Sequence, residues 1–156
     1  RSVLVRAARR AFHYDVAPEI TDSGFFPFVA DGHMVDDAHA AGRTVYHRSI
    51  MRPENLPHNV AALERLVRAA RARSLQVAIL LPPTSKHYQS RRDPDALGRT
   101  LGALAALEKE GAKIANYLDD PRFDDSDFAD PDHLGVKGAA RFSRVLDEEL
   151  VKPAMR

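Results

Sequence analysis

The run Gln76-Val77-Ala78-Ile79-Leu80-Leu81, stopped by Pro82-Pro83, constrains the fold more than any other stretch of the chain. A continuous apolar segment of strand length, closed by residues that break a ladder, is what a parallel strand buried on both faces requires. Amphipathic patterns flank it. Over residues 59–73, Val60, Leu63, Leu66, Val67 and Ala70 recur at helical spacing, with Arg65, Arg68 and Arg71 on a solvated outer face. Asp93-Pro94 supplies an N-cap and a first-turn proline for a helix with the stripe Leu97, Leu101, Leu104 and Leu107, and Gly111 ends it. Residues 113–118 read as a second strand. Ala139, Phe142, Val145, Leu146 and Leu150 define a last helix that ends near Pro153. Helix, strand, helix, strand, helix predicts a parallel sheet covered on both sides.

The N-terminal part is less regular. Residues 1–14 place Leu4, Ala8, Ala11 and Phe12 on one side of a short helix, with Arg6, Arg9 and Arg10 in solvent. Residues 15–42 hold Pro18, Gly24, Pro27, Gly32 and Gly42, with Phe25, Phe26 and Phe28 expected to plug the core of a long irregular stretch. Residues 44–49 give a third, short extended piece, and residues 51–54 a connection. The 156 residues form one domain without repeat or linker. A doubly wound sheet normally has more strands than these, and the chain opens on Arg1, so an upstream segment is expected.

Composition excludes several classes of function. With 44% hydrophobic and 29% charged residues the chain is globular. Lys plus Arg number 23 against 22 Asp plus Glu, so no bulk field points to nucleic acid or to an anionic membrane surface. The lack of cysteine removes disulfides, thiolate nucleophiles and cysteine-zinc sites, and leaves the compartment open. No apolar run approaches the roughly 20 residues that span a bilayer.

The chemistry concentrates in Asp130-Pro131-Asp132-His133-Leu134-Gly135, before the last helix and at the carboxyl end of a strand, where open α/β sheets bind ligands. An acid three residues ahead of a histidine can hold the imidazole through Nδ1–H and leave Nε2 to act as a base. Seven aspartates lie from Asp119 to Asp132, which invites a test for metal. With Asp125 in the first position of a calcium loop and Asp127 in the third, Asp130 falls where glycine belongs and Val136 where the bidentate glutamate belongs. The other histidines, His13, His33, His39, His47, His58 and His87, make no zinc-ligand spacing. No metal or cofactor is expected. In the plainer reading, Asp124, Asp125 and Asp127 are solvated and Asp130 or Asp132 caps the following helix. A third reading takes Ser85 and His87, beside Tyr88 in the expected loop after the first strand, as a site of their own or as lining of the same cleft.

The pattern Asp124-Asp125-Ser126-Asp127-Phe128-Ala129-Asp130-Pro131-Asp132-His133-Leu134, followed by Lys137-Gly138-Ala139-Ala140-Arg141-Phe142, resembles the terminal block of the SGNH (GDSL-like) hydrolases. The apolar strand with Pro82-Pro83 and Tyr88 resembles the strand and loop before that block, and the likeness spans roughly residues 55–150. It is nearest the branch that acts in bacterial envelope and exopolysaccharide acyl transfer. The resemblance implies an α/β fold, a parallel sheet with helices on both faces in an SGNH/flavodoxin-like three-layer arrangement. It implies Asp130 and His133 as catalytic residues, with Asp130 orienting the imidazole and His133 the general base toward a serine. It implies an esterase or O-acyltransferase on a small-molecule or carbohydrate ester, working outside the cytoplasm and without nucleic acid or membrane contact by this segment. The family's Gly-Asp-Ser-like block is missing. Ser23 in Asp22-Ser23-Gly24 is the nearest echo, residues 32–37 carry no asparagine for the oxyanion, and Asn55 and Asn59 lie where the next helix begins. The nucleophile and the first strand are therefore expected upstream of Arg1. The alternative is a noncatalytic SGNH-like binding or scaffold domain in envelope polysaccharide assembly.

Overall fold

The computed structural model describes residues 34–155. The expected helix over residues 1–14, Ser23 and the aromatics Phe25, Phe26 and Phe28 lie outside that range.

Asp36 opens the first helix, α1 (Asp37–Ile50), by accepting the backbone N–H of His39 at 2.8 Å. Two expectations are corrected here: residues 37–42 are regular, and residues 44–49 are helix, not strand. The cause is the identity of the buried stripe. α1 turns Ala40 and Thr44 inward and leaves Val45, Tyr46 and Ile50 exposed, so the apolar 3.6-residue period that signals a helix is missing.

A short 3₁₀ turn at Pro53–Asn55 leads into α2 (Leu56–Arg71), which begins earlier than its apolar period indicates. Val67 is fully buried, whereas Leu63 and Leu66 face outward rather than inward. Strand β1 (Ala78–Leu81) follows, then the single turn α3 (Lys86–Gln89) and α4 (Pro94–Lys109). Asp93 caps α4 as expected, accepting from the N–H groups of Asp95 and Ala96. The chain reverses at Gly111, where φ is +97° and a Cβ would collide with the Arg71 guanidinium; only glycine suits both demands.

Strand β2 (Lys113–Asn116) pairs with β1 in parallel, Ala78 opposite Lys113 and Leu81 opposite Asn116. Neighbouring side chains of a strand point to opposite faces, and each face has its own core. On one, Val77, Ile79, Leu81 and Ile114 pack against Val67, Leu104, Leu107 and Ala112 from α2, α4 and the turn after α4. On the other, Ala115 and Tyr117 join Val35, Phe123, Phe128, Phe142 and Val145. The architecture is mixed α/β around a parallel pair of strands. β1 is not buried on both faces, contrary to its apolar run: Ala78 is exposed and Leu80 retains 38% of its surface. Among the described residues β1 has β2 as its one ladder neighbour.

A second ladder is the tight antiparallel hairpin of β3 (Phe128–Asp130) and β4 (His133–Leu134). It leads into α5 (Val136–Leu146), which continues through a π turn at Asp147–Val151 into the short α6 (Lys152–Ala154). The expected core face is present: Phe142 and Val145 are buried, Leu146 and Leu150 pack beside them, and Phe142 meets Tyr117 and Phe123 edge to face at centroid distances of 5.2 and 5.9 Å. No helix among the described residues is long and apolar enough to cross a membrane.

Candidate functional site

The loops at the carboxyl ends of the two parallel strands are laced together by backbone groups. Thr84 donates to the Leu118 carbonyl through both N–H and Oγ1, each at 3.1 Å. The Ser85 N–H donates to the Pro131 carbonyl at 3.0 Å, and Gln89 Nε2 donates to the Thr84 and Leu118 carbonyls at 2.7 and 3.2 Å. These bonds hold the Asp130–His133 hairpin against the strand ends, the edge where parallel sheets place their ligands.

Within that hairpin one carboxylate organises everything. Asp130 is buried, and its Oδ1 accepts from the backbone N–H groups of Asp132 and His133 at 3.1 and 2.9 Å. Pro131 follows it in the turn, where a fixed φ is favourable. The same carboxylate lies 3.0 Å (Oδ1) and 2.9 Å (Oδ2) from His133 Nδ1, so donation from Nδ1–H fixes the tautomer and leaves proton transfer to Nε2. Asp130 and His133 are thus brought together as a dyad. The hydrogen bond that His133 donates to Asp130, with the charge of that carboxylate, holds the His133 pKa above the ordinary histidine range, against burial. Burial opposes ionisation of Asp130, but the hydrogen bond and charge of His133 outweigh it and the Asp130 pKa lies below its usual value.

Asp132 has a different partner. Arg43, from the middle of α1, grips it with two parallel hydrogen bonds, Nε to Oδ1 at 2.6 Å and Nη2 to Oδ2 at 2.8 Å. Asp132 Oδ2 is also 3.8 Å from His133 Nδ1 and 3.3 Å from His47 Nε2, and His47 Nδ1 is 2.7 Å from the Tyr88 hydroxyl. Burial, reinforced by the Arg43 and His133 charges, depresses the His47 pKa although Asp132 opposes the shift. Arg43 and His47 were not legible as site residues. Their signal is the polar spacing His39, Arg43, His47, one residue per helical turn, on a segment whose apolar residues face solvent.

Neither Asp130 nor Asp132 caps α5, contrary to the plainer reading. Its N-cap is Gly135, without a side-chain hydrogen bond, because both carboxylates are already engaged. Asp127 is not solvated either: it is fully buried, accepts from Arg141 Nη1 at 2.7 Å, and stands 3.8 Å from Lys137 Nζ. Its carbonyl accepts the Gly135 N–H at 2.8 Å, and Gly138 packs so closely on that carbonyl that a Cβ would collide with it. This is the physical reason for glycine in Lys137-Gly138-Ala139. Ser85 and His87 do not form a site of their own. Ser85 is buried and caps α3 through Tyr88 N–H, whereas His87 contacts Asp37 at 2.8 Å and Asp125 at 3.6 Å.

Asp130, Asp132 and His133 each offer a ligand atom within 4.8 Å of the others. A cation there would have to take Asp132 from the bidentate Arg43 and Asp130 from the imidazole. The donor set is therefore arranged for an acid–base pair rather than for a hard ion, which prefers several uncommitted oxygens. Comparison of the chain with protein-family models, with curated proteins and with solved structures found no match.

Proposed function

We propose that this chain is the base-bearing part of a serine esterase or O-acyltransferase of SGNH type, acting on an ester or an acylated carbohydrate in the bacterial envelope. The observation that carries the reading is the Asp130 carboxylate set 2.9–3.0 Å from His133 Nδ1 while it also ties the backbone of the same turn. In this mechanism a serine oxygen attacks the acyl carbon as His133 Nε2 takes its proton, and Asp130 stabilises the imidazolium. The tetrahedral intermediate collapses, the alcohol leaves with that proton, and the acyl-enzyme passes its acyl group to water or to a sugar hydroxyl. The serine and the oxyanion donors come from outside residues 34–155, upstream of Arg1. The strands that extend the sheet past β1 into a three-layer fold come from the same region. Leu80, which keeps 38% of its surface, and the lack of a second ladder neighbour for β1 among the described residues support that extension.

Labelling of the full-length gene product with a serine-reactive phosphonate tests the reading, with the modified peptide identified by mass and His133→Ala as control. The expected result is a label on an upstream serine that disappears in the variant, with the fold retained. No label on folded wild-type protein would instead favour a noncatalytic binding or scaffold domain.

A further inference from the structure

A cavity of ≈ 210 Å³ opens between α1 and α4 at the carboxyl end of β1, lined by Leu81, Leu118, Leu97 and Thr100 with His47 and Tyr88. Three features mark it as a binding site. It lies at the strand ends, the ligand edge of parallel sheets. Its lining is mostly apolar with a few convergent polar groups, the usual make-up of a ligand pocket. Through His47, whose Nε2 stands 3.3 Å from Asp132 Oδ2, it borders the hairpin that holds His133.

The charges around the cavity decide what it takes. Arg92 is held by Asp119 with two bonds of 2.7 and 2.6 Å, Arg48 faces Asp93 at 4.0 Å, and His47 and Tyr88 are bonded to each other at 2.7 Å. A charged ligand would compete with these partners for Arg92 and Arg48, whereas a neutral apolar group only displaces water. An apolar cavity of about 150 Å³ already holds benzene, so this one takes a single ring or a chain of roughly six carbons. We propose that the cavity is the acyl subsite: it receives the short apolar acyl portion of the substrate. The assignment rests on the esterase or acyltransferase reading above.

The test is equilibrium binding of hexanamide, a neutral acyl mimic with no scissile ester, followed by amide chemical shifts of the 156-residue chain. Saturable shifts are expected at Thr44, Leu97, Thr100 and Leu118. Acetamide should bind at least tenfold more weakly, because each buried methylene adds about fourfold to affinity. Leu97→Trp and Thr100→Phe, which fill the space from two positions, should each lower hexanamide affinity at least tenfold while the rest of the spectrum stays dispersed. The proposal is overturned by the absence of saturable shifts, by equal affinity for acetamide, or by unchanged binding in a folded filled variant. Phosphonate labelling is scored separately. Label without hexanamide binding removes the cavity assignment and keeps the enzyme reading; hexanamide binding without label removes the enzyme reading and the acyl role with it.

Discussion

Asp130 contributes most to how strongly His133 holds its proton, and the charge on Arg43 works against it. Two carboxylates stand near Nδ1, Asp130 in direct contact and Asp132 at 3.8 Å. Arg43 neutralises the second, and its charge also opposes protonation of the ring. Arg43→Met leaves Asp132 uncompensated, and the His133 pKa should rise. A proton NMR titration of the His133 ring measures it; an unchanged or lowered value would show that Arg43 does not tune the base. The pair also links stability to pH. The His133 pKa is raised, so its contribution is complete below the ordinary 6.5 and fades as pH rises through the folded value. The Asp130 pKa is lowered, so its contribution is complete above 3.8 and fades as pH falls through the folded value. The loss of stability in Asp130→Asn should therefore be greatest between pH 3.8 and 6.5. It should be on the order of 1 kcal/mol, because His133 is 40% exposed and solvent screens the pair. Urea unfolding of both proteins across that range reads the difference, and a pH-independent gap would mean that Asp130 acts only through the backbone of the turn.

Element by element, α5 carries the strongest packing and the hairpin its support. Phe142 is 9% exposed and lies against Tyr117 and Phe123, so Phe142→Ala should cost about 3–5 kcal/mol in denaturant unfolding. An unchanged midpoint would place that ring outside the core. Gly138→Ala forces a methyl group onto the Asp127 carbonyl. It should cost about 1–3 kcal/mol and move the backbone resonance of Gly135, whose N–H bonds to the same carbonyl. What the sequence discloses follows the same division. α4 is legible because Asp93 and Pro94 start it, Gly111 stops it, and Leu104 and Leu107 of its stripe are buried, although Leu101 is 36% exposed; α5 is legible because Phe142 with Val145 marks its inner face, although its expected aspartate cap is not made. α1 is illegible because its anchor is a salt bridge to a residue 89 positions away, and its inner face is Ala40 and Thr44. Leu63 and Leu66 mislead for the opposite reason, since apolar spacing on α2 cannot say whether a second layer covers it. The contact of Asp130 with His133 is readable because it is local; Arg43 and His47 are not, because tertiary packing alone joins them to it.

Over the whole molecule, each strand of the parallel pair has one edge paired with the other strand and one edge without a strand neighbour among the described residues. Lys113 N–H bonds to the Val77 carbonyl and Tyr117 N–H to the Leu81 carbonyl, so odd-numbered residues of β1 turn their backbone groups toward β2 and Ala78 and Leu80 turn theirs away. If the sheet continues past β1, hydrogen exchange should protect Ala78 and Leu80 as well as Ile79 and Leu81. Alternating fast and slow exchange along β1 would mean that the strand is a true edge. The hairpin has a further consequence. Asp130 and His133 face each other across one turn, so no hinge, subunit or distant helix can separate them. Mutations elsewhere can weaken the protein considerably without spoiling the angle between carboxylate and imidazole. Selection on the rest of the chain then acts mainly on where that small unit is carried.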